Sequence, residues 1–193
     1  MPRVKQFNED EVLHKAMELF WKKGYNATSM QDMVTCLGIN RGSLYDTFGG
    51  KKNLFDKSLF LYCSIYQEGT KEFISKQDNV KEGIRNIFLA FIGEKGQEID
   101  TRGCFAVNST NEVANENEYV NELLKKNKDF YETLFYDFLH KGQKNGEISK
   151  DKDIKSIAFL LFTLFNGIKV VSKLEDNNQR LLDSIDDILK LLD

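Results

Sequence analysis

Pro2 is the only proline in a chain of 193 residues, and this bounds the fold more tightly than any other feature. Proline breaks a helix from inside, because its ring removes an amide donor and clashes with the preceding turn. From residue 3 onward no helix is interrupted in that way, and punctuation falls to the 13 glycines. Apolar residues recur at intervals of three and four, and no segment keeps the strict alternation of a half-buried strand. The chain is expected to be all-α, and a hydrophobic content of 41% can fill a core at this length.

Residues 28–52, TSMQDMVTCLGINRGSLYDTFGGKK, read as two short helices joined by a tight glycine turn. Thr28 and Gln31 have the spacing of a capping box, which places a helix start at Thr28. Met30, Met33, Val34 and Leu37 follow at helical spacing, and Gly38 stands where a left-handed residue ends a helix at little cost. After one intervening residue Asn40 can cap a second helix, with Leu44 and Phe48 on its buried side and Gly49-Gly50 as its stop. This is the geometry of a helix-turn-helix. Upstream, Asn8 and Glu11 make a second capping box, Phe7 and Val12 a staple, and Leu13, Ala16, Met17 and Phe20 a buried stripe that ends at Gly24.

Downstream the pattern predicts a long helix over about 51–75, an amphipathic one over 79–94, a glycine-punctuated loop over 93–103 and a short helix over 104–114. A long polar helix then covers 117–144. The segment 151–174 is apolar nearly all round, a sign of burial on more than one side, and a stripe from Leu181 to Leu192 closes the chain.

Across residues 8 to 60 the chain resembles the TetR family of bacterial transcriptional regulators. The likeness rests on Asn40-Arg41-Gly42-Ser43-Leu44-Tyr45-Asp46-Thr47-Phe48, on Ala16, Leu19, Phe20, Gly24, Tyr25 and Thr28 before it, and on Gly49-Gly50-Lys51 and Leu54-Phe55 after it. The resemblance implies a DNA-binding domain over 1–50 and a larger effector-binding and dimerisation domain over 51–193. It also implies a homodimer whose four-helix bundle is built from the last two helices, with Ile157, Leu161, Leu164, Phe165, Ile168, Leu182, Ile185 and Leu189 at the interface. The function expected is a repressor, released from a palindromic operator in double-stranded DNA by a small-molecule effector.

The second helix of the motif carries the chemistry of base reading. Arg41, at its start, can donate bidentately to guanine O6 and N7, Gly42 lets the backbone approach a base closely, and Asp46 can accept from cytosine N4. Thr28, Ser29, Ser43, Tyr45, Thr47 and Lys51 offer hydroxyl or ammonium donors to phosphate, which set register without encoding sequence. The helix that begins near Lys51 adds its N-terminal amides and dipole.

The effector reading is broader. Arg102-Gly103-Cys104-Phe105-Ala106-Val107-Asn108-Ser109-Thr110-Asn111-Glu112 resembles a segment that follows the fifth helix and lines the ligand cavity in a subset of TetR-like regulators. Tyr62, Tyr66, Phe88, Phe91, Cys104, Phe105, Phe130, Phe159 and Phe162 are candidates for an apolar pocket, with Asn108 or Asn166 as polar anchors, although an aromatic stripe at helical spacing is most often ordinary core. Some regulators with this segment respond to oxidants, but a cysteine such as Cys104 is more often a buried inert thiol.

Other classes fit less well. His14 and His140 fall in separate helices with no nucleophile motif, phosphate loop or metal-ligand cluster beside them, so neither an enzyme, a cofactor nor a metal site is expected. Three widely spaced cysteines suggest neither a disulfide framework nor a metal knuckle. The net charge of −3 is spread almost evenly, with eight Lys and Arg against seven Asp and Glu in residues 1–56, so phosphate contact rests on local placement. The start lacks a signal region and the longest apolar run, 158–165, is too short to span a bilayer, which gives a cytoplasmic protein with no membrane partner as the expectation. The competing class is a helical small-molecule carrier without DNA binding, in which Arg41, Tyr45 and Lys51 would be dispensable.

Overall fold

The computed structural model describes residues 7–92, 102–175 and 178–193, with the side chains of Phe91 and Asn178 outside the described set. Among the described residues every regular element is helical: α1 (Glu9–Lys23), α2 (Met30–Leu37), α3 (Arg41–Phe48), α4 (Lys51–Ser75), α5 (Val80–Ile92), α6 (Phe105–Glu112), α7 (Glu118–Asn145), α8 (Ile154–Val171) and α9 (Asn178–Leu189), with a 3-10 turn over Lys190–Leu192. Most of the loop expected over 93–103 lies outside the described residues.

The helix ends follow from local chemistry. Asn8 accepts from the amides of Asp10 at 2.9 Å and Glu11 at 3.3 Å, which starts α1. Asn40 accepts from the Ser43 amide at 2.8 Å and starts α3. Gly38 and Gly49 end α2 and α3 at φ of 67° and 76°, the left-handed region that a side chain disfavours. The start of α2 differs from expectation. Its cap is Ser29, whose hydroxyl accepts from the Asp32 amide at 3.1 Å while the Ser29 amide donates to the Asp32 carboxylate at 2.7 Å. Thr28 is only 1% exposed, and its hydroxyl donates to the Gly24 carbonyl at 2.6 Å. The box is therefore Ser29 with Asp32, one residue beyond Thr28 with Gln31, because Thr28 is turned inward.

Two compact units make up the chain: Met1–Ile65 with Cys104–Leu124, and Tyr66–Gly103 with Lys125–Asp193. The division falls inside α4 and α7, so each helix gives a segment to both units, and it does not coincide with the expected boundary at residue 50. The first unit reaches past residue 50 because α4 supplies its core. Phe55 meets Phe20 edge-on at 5.2 Å, Tyr25 at 4.8 Å and Phe105 of α6 at 5.6 Å, and Tyr62 packs on Trp21 at 5.0 Å and on Phe105 at 5.5 Å.

The second unit has its own core, in which Phe165 of α8 receives the edge of Phe88 from α5 and of Phe135 from α7, each at 5.9 Å. Ile154, Ala158, Leu161, Phe165 and Ile168 of α8 and Leu181, Ile185 and Leu189 of α9 are buried there. This corrects part of the expected dimer interface. Leu161, Phe165, Ile168, Ile185 and Leu189 are already covered within one chain, while Ile157, Leu164 and Leu182 are half-buried. The spare apolar surface of α8 is its other side, with Phe159, Leu160, Val170, Val171 and, just past its end, Leu174 exposed. At 18 residues α8 is also longer than the apolar run read from the sequence, and by length and composition alone it could cross a bilayer.

Candidate nucleic-acid interface

In α3 the helical period divides the residues cleanly. Leu44 and Phe48 are buried, while Arg41, Gly42, Tyr45 and Asp46 are exposed, and Ser43 and Thr47 lie half-buried between the two faces. The three residues expected to read bases therefore share one open face. Gly42 meets only the Asn40 side chain, at 3.3 Å from where a Cβ would stand, so its outer surface is free for close approach.

Tyr45 is held from both ends. The Arg41 guanidinium carbon lies 5.8 Å from its ring centre, and a Cβ at Gly50 would stand 2.9 Å from the ring carbon Cε1. Gly50, with φ of 109°, thus both turns the chain into α4 and leaves room for the Tyr45 ring. The sequence marked Gly50 as a helix stop and part of the junction into α4, and its close approach to the Tyr45 ring is set by the turn between α3 and α4.

At the start of α4, Lys51 sets its ammonium 4.4 Å from the centre of the Tyr25 ring. Burial pushes this lysine below its ordinary range, against the opposing pull of the Glu112 and Asp32 carboxylates. The next lysine is differently committed. Lys52 donates to Asp56 at 2.9 Å, and Asp56 also accepts from Asn117 Nδ2 at 2.8 Å. The first amides of α4 add an N-terminal dipole beside Lys51.

The remaining phosphate candidates differ in availability. Ser29 is exposed, but its hydroxyl donates to Asp32 at 2.7 Å as part of the α2 cap. The Lys23 ammonium, 2.5 Å from the same carboxylate, is the main reason Asp32 is held well below the usual aspartate range, helped by the two Ser29 donors. Thr28, buried with its hydroxyl committed to Gly24, does not reach the surface as a phosphate donor.

Family comparison agrees with this geometry. Residues 12–57 match the model of bacterial regulatory proteins of the tetR family, and residues 81–186 match a tetracyclin repressor-like C-terminal domain. An uncharacterised HTH-type transcriptional regulator of Bacillus subtilis, YezE, is 31% identical over the whole length of both chains. The chain belongs to the TetR family. As a TetR-family protein it is a DNA-binding transcriptional regulator and not an enzyme. It is also 26% identical to the transcriptional repressor ComR of Escherichia coli, over 98% of this chain and 90% of ComR. Among solved structures, a cysteine variant of the TetR-family regulator CifR complexed with 26-bp operator DNA superposes with a TM-score of 0.81 at 26% identity, covering 97% of this chain and 98% of CifR.

The TetR-type effector candidates are divided between the units. Tyr62, Cys104, Phe105 and Asn108 belong to the first, where Tyr62, Cys104 and Phe105 are buried and the Tyr62 hydroxyl lies 3.6 Å from Cys104 Sγ. Tyr66, Phe88, Phe130, Phe159, Phe162 and Asn166 belong to the second. Phe88 is fully buried in its core, whereas Tyr66, Phe130, Phe162 and Asn166 are half-buried. Phe159 faces outward at 57% exposure, beside an open groove of about 360 Å³ lined by Glu132, Thr133, Tyr136, Lys155 and Ala158. The Phe91 side chain lies outside the described residues.

Proposed function

We propose that this regulator is a cytoplasmic homodimeric repressor that inserts α3 of each copy into successive major grooves of a palindromic operator and leaves it when a small molecule binds. The observation that carries the reading is the open face of Arg41, Gly42, Tyr45 and Asp46 set beside Lys51 at the start of α4. Arg41 reads guanine, Asp46 accepts from cytosine, and Tyr45, Lys51, Ser43 and Thr47 fix the register on phosphate. The relative ComR is a transcriptional repressor, which supports the sign of regulation.

A two-fold dimer reads half-sites about one helical turn apart, or a multiple of it. The exposed apolar side of α8, with Phe159, Leu160, Val170 and Val171 around an open Gly167, supports the dimer contact. The effector lodges in the second unit, near half-buried Tyr66, Phe130 and Phe162. Polar pairs are available there, with Gln67 donating to Asn127 at 2.8 Å and Thr70 standing 3.5 Å from the Tyr131 hydroxyl. A coupling of about 1 to 3 kcal/mol suffices to change operator affinity about 5- to 150-fold.

Selection of bound fragments from a random duplex library tests this reading, repeated with a Tyr45→Ala/Lys51→Ala double variant and over a salt series. A palindromic motif that disappears with the variant is expected. Enrichment of no palindromic motif by a folded dimer would overturn the assignment of paired half-sites and of the base-reading face.

A further inference from the structure

The corner between α1 and α2 is bound to a residue far along the chain. Glu112, the last residue of α6, accepts the Asn26 amide on Oε1 at 2.8 Å and the Tyr25 amide on Oε2 at 3.1 Å. Both carboxylate oxygens would lie 3.0 Å from a Cβ placed at Gly24, so the carboxylate rests directly on the corner. Two successive amides closing on one carboxylate form a charge-assisted clasp, stronger than bonds between neutral groups.

The corner has its own local bonds, from the Thr28 hydroxyl to the Gly24 carbonyl at 2.6 Å and from the Thr28 amide to the Tyr25 carbonyl at 3.2 Å. These shape the turn from within. The clasp adds a fixed position for Tyr25 relative to α6. The Tyr25 ring in turn supports the Lys51 ammonium at 4.4 Å and packs edge-on against Phe55 at 4.8 Å. Glu112 also lies close enough to Lys51 to favour its charged form.

We infer that Glu112 is a positioning residue for operator binding: it seats Tyr25, and through that ring it holds the Lys51 ammonium where phosphate is met. The inference rests on the reading of Lys51 as a phosphate contact. Glu112 itself does not touch DNA in this scheme.

A double-mutant cycle on the full-length protein tests it, with affinity for the selected operator measured over a potassium chloride series for wild type, E112A, K51A and E112A/K51A, and with melting followed in parallel. E112A should weaken binding about 5-fold or more, within the usual range of coupling between sites. It should also flatten the dependence of log K on log salt by about one per half-site, as K51A does. In the K51A background E112A should change affinity little, because its route to DNA is already lost. E112Q, which keeps one acceptor of the same reach, should recover part of the affinity and slope. If E112A does not fold, the same cycle with E112Q decides the matter.

Additive losses with a wild-type salt slope, accompanied by a lower melting temperature, would overturn the inference and leave Glu112 a purely structural brace. Wild-type affinity and slope in K51A would overturn it as well, through failure of the phosphate reading of Lys51.

Discussion

The Lys51 ammonium lies 4.4 Å from the centre of the Tyr25 ring, held between an aromatic face and partial burial. Burial disfavours its charged form, so in the folded protein Lys51 gives up its proton at a lower pH than an exposed lysine, whose pKa is about 10.4. Operator affinity should be insensitive to this group at neutral pH and fall on the alkaline side before an ordinary lysine would titrate. The sign for folding is the reverse: the charge costs stability below the lowered pKa, and that cost is relieved as pH rises. Titration of operator binding between neutral and alkaline pH checks this, and K51R, which stays charged, should remove the alkaline fall.

Arg41 stands at the first position of α3 on its exposed side. Replacement by Ala should cost about 1 to 3 kcal/mol of operator binding and relax discrimination at one base pair in each half-site. Affinities for operators substituted one position at a time distinguish this from phosphate contact, since an equal loss on every sequence would reassign the side chain.

Ser29 and Thr28 separate cap from core. S29A should lower stability by about 1 kcal/mol, because the Asp32 amide loses its acceptor. Thermal melting should register this as a fall of about 2 to 4 °C in a chain of this size. The Lys23 and Ser29 donors hold Asp32 ionised below the usual aspartate range, so the stability it provides is present above that range and is lost only as pH falls through its lowered pKa. The S29A deficit should therefore persist into mildly acidic solution.

On α8 two substitutions should have opposite signatures. Leu161, 1% exposed, fills the core of the second unit, and Leu161→Ala should destabilise by about 2 to 5 kcal/mol. Val170 is 45% exposed on the other side, and Val170→Glu should leave folding intact while shifting sedimentation from dimer to monomer. A Val170→Glu protein that still sediments as a dimer would remove this face from the interface.

What the sequence determined by itself is what short-range interactions decide. Asn8 and Asn40 start helices and Gly38 and Gly49 stop them through bonds and backbone angles that span at most four residues, so the start of α1, the end of α2 and both ends of α3 could be read in advance. The 3.6-residue period likewise separated Leu44 and Phe48 from Arg41, Tyr45 and Asp46. Tertiary structure decided the rest. The sequence pattern pointed to Thr28 as the cap of α2, and the packing that buries Thr28 passed that role to Ser29. The sides of α8 carry apolar residues of similar kind, so no polarity in the sequence marked Leu161 as inside and Leu160 as outside; the core against Phe88 and Phe135 did that. Glu112 meets Asn26 across 86 residues of chain, a separation at which no local pattern carries a signal, and that contact exists only because folding brings α6 against the corner of α1 and α2.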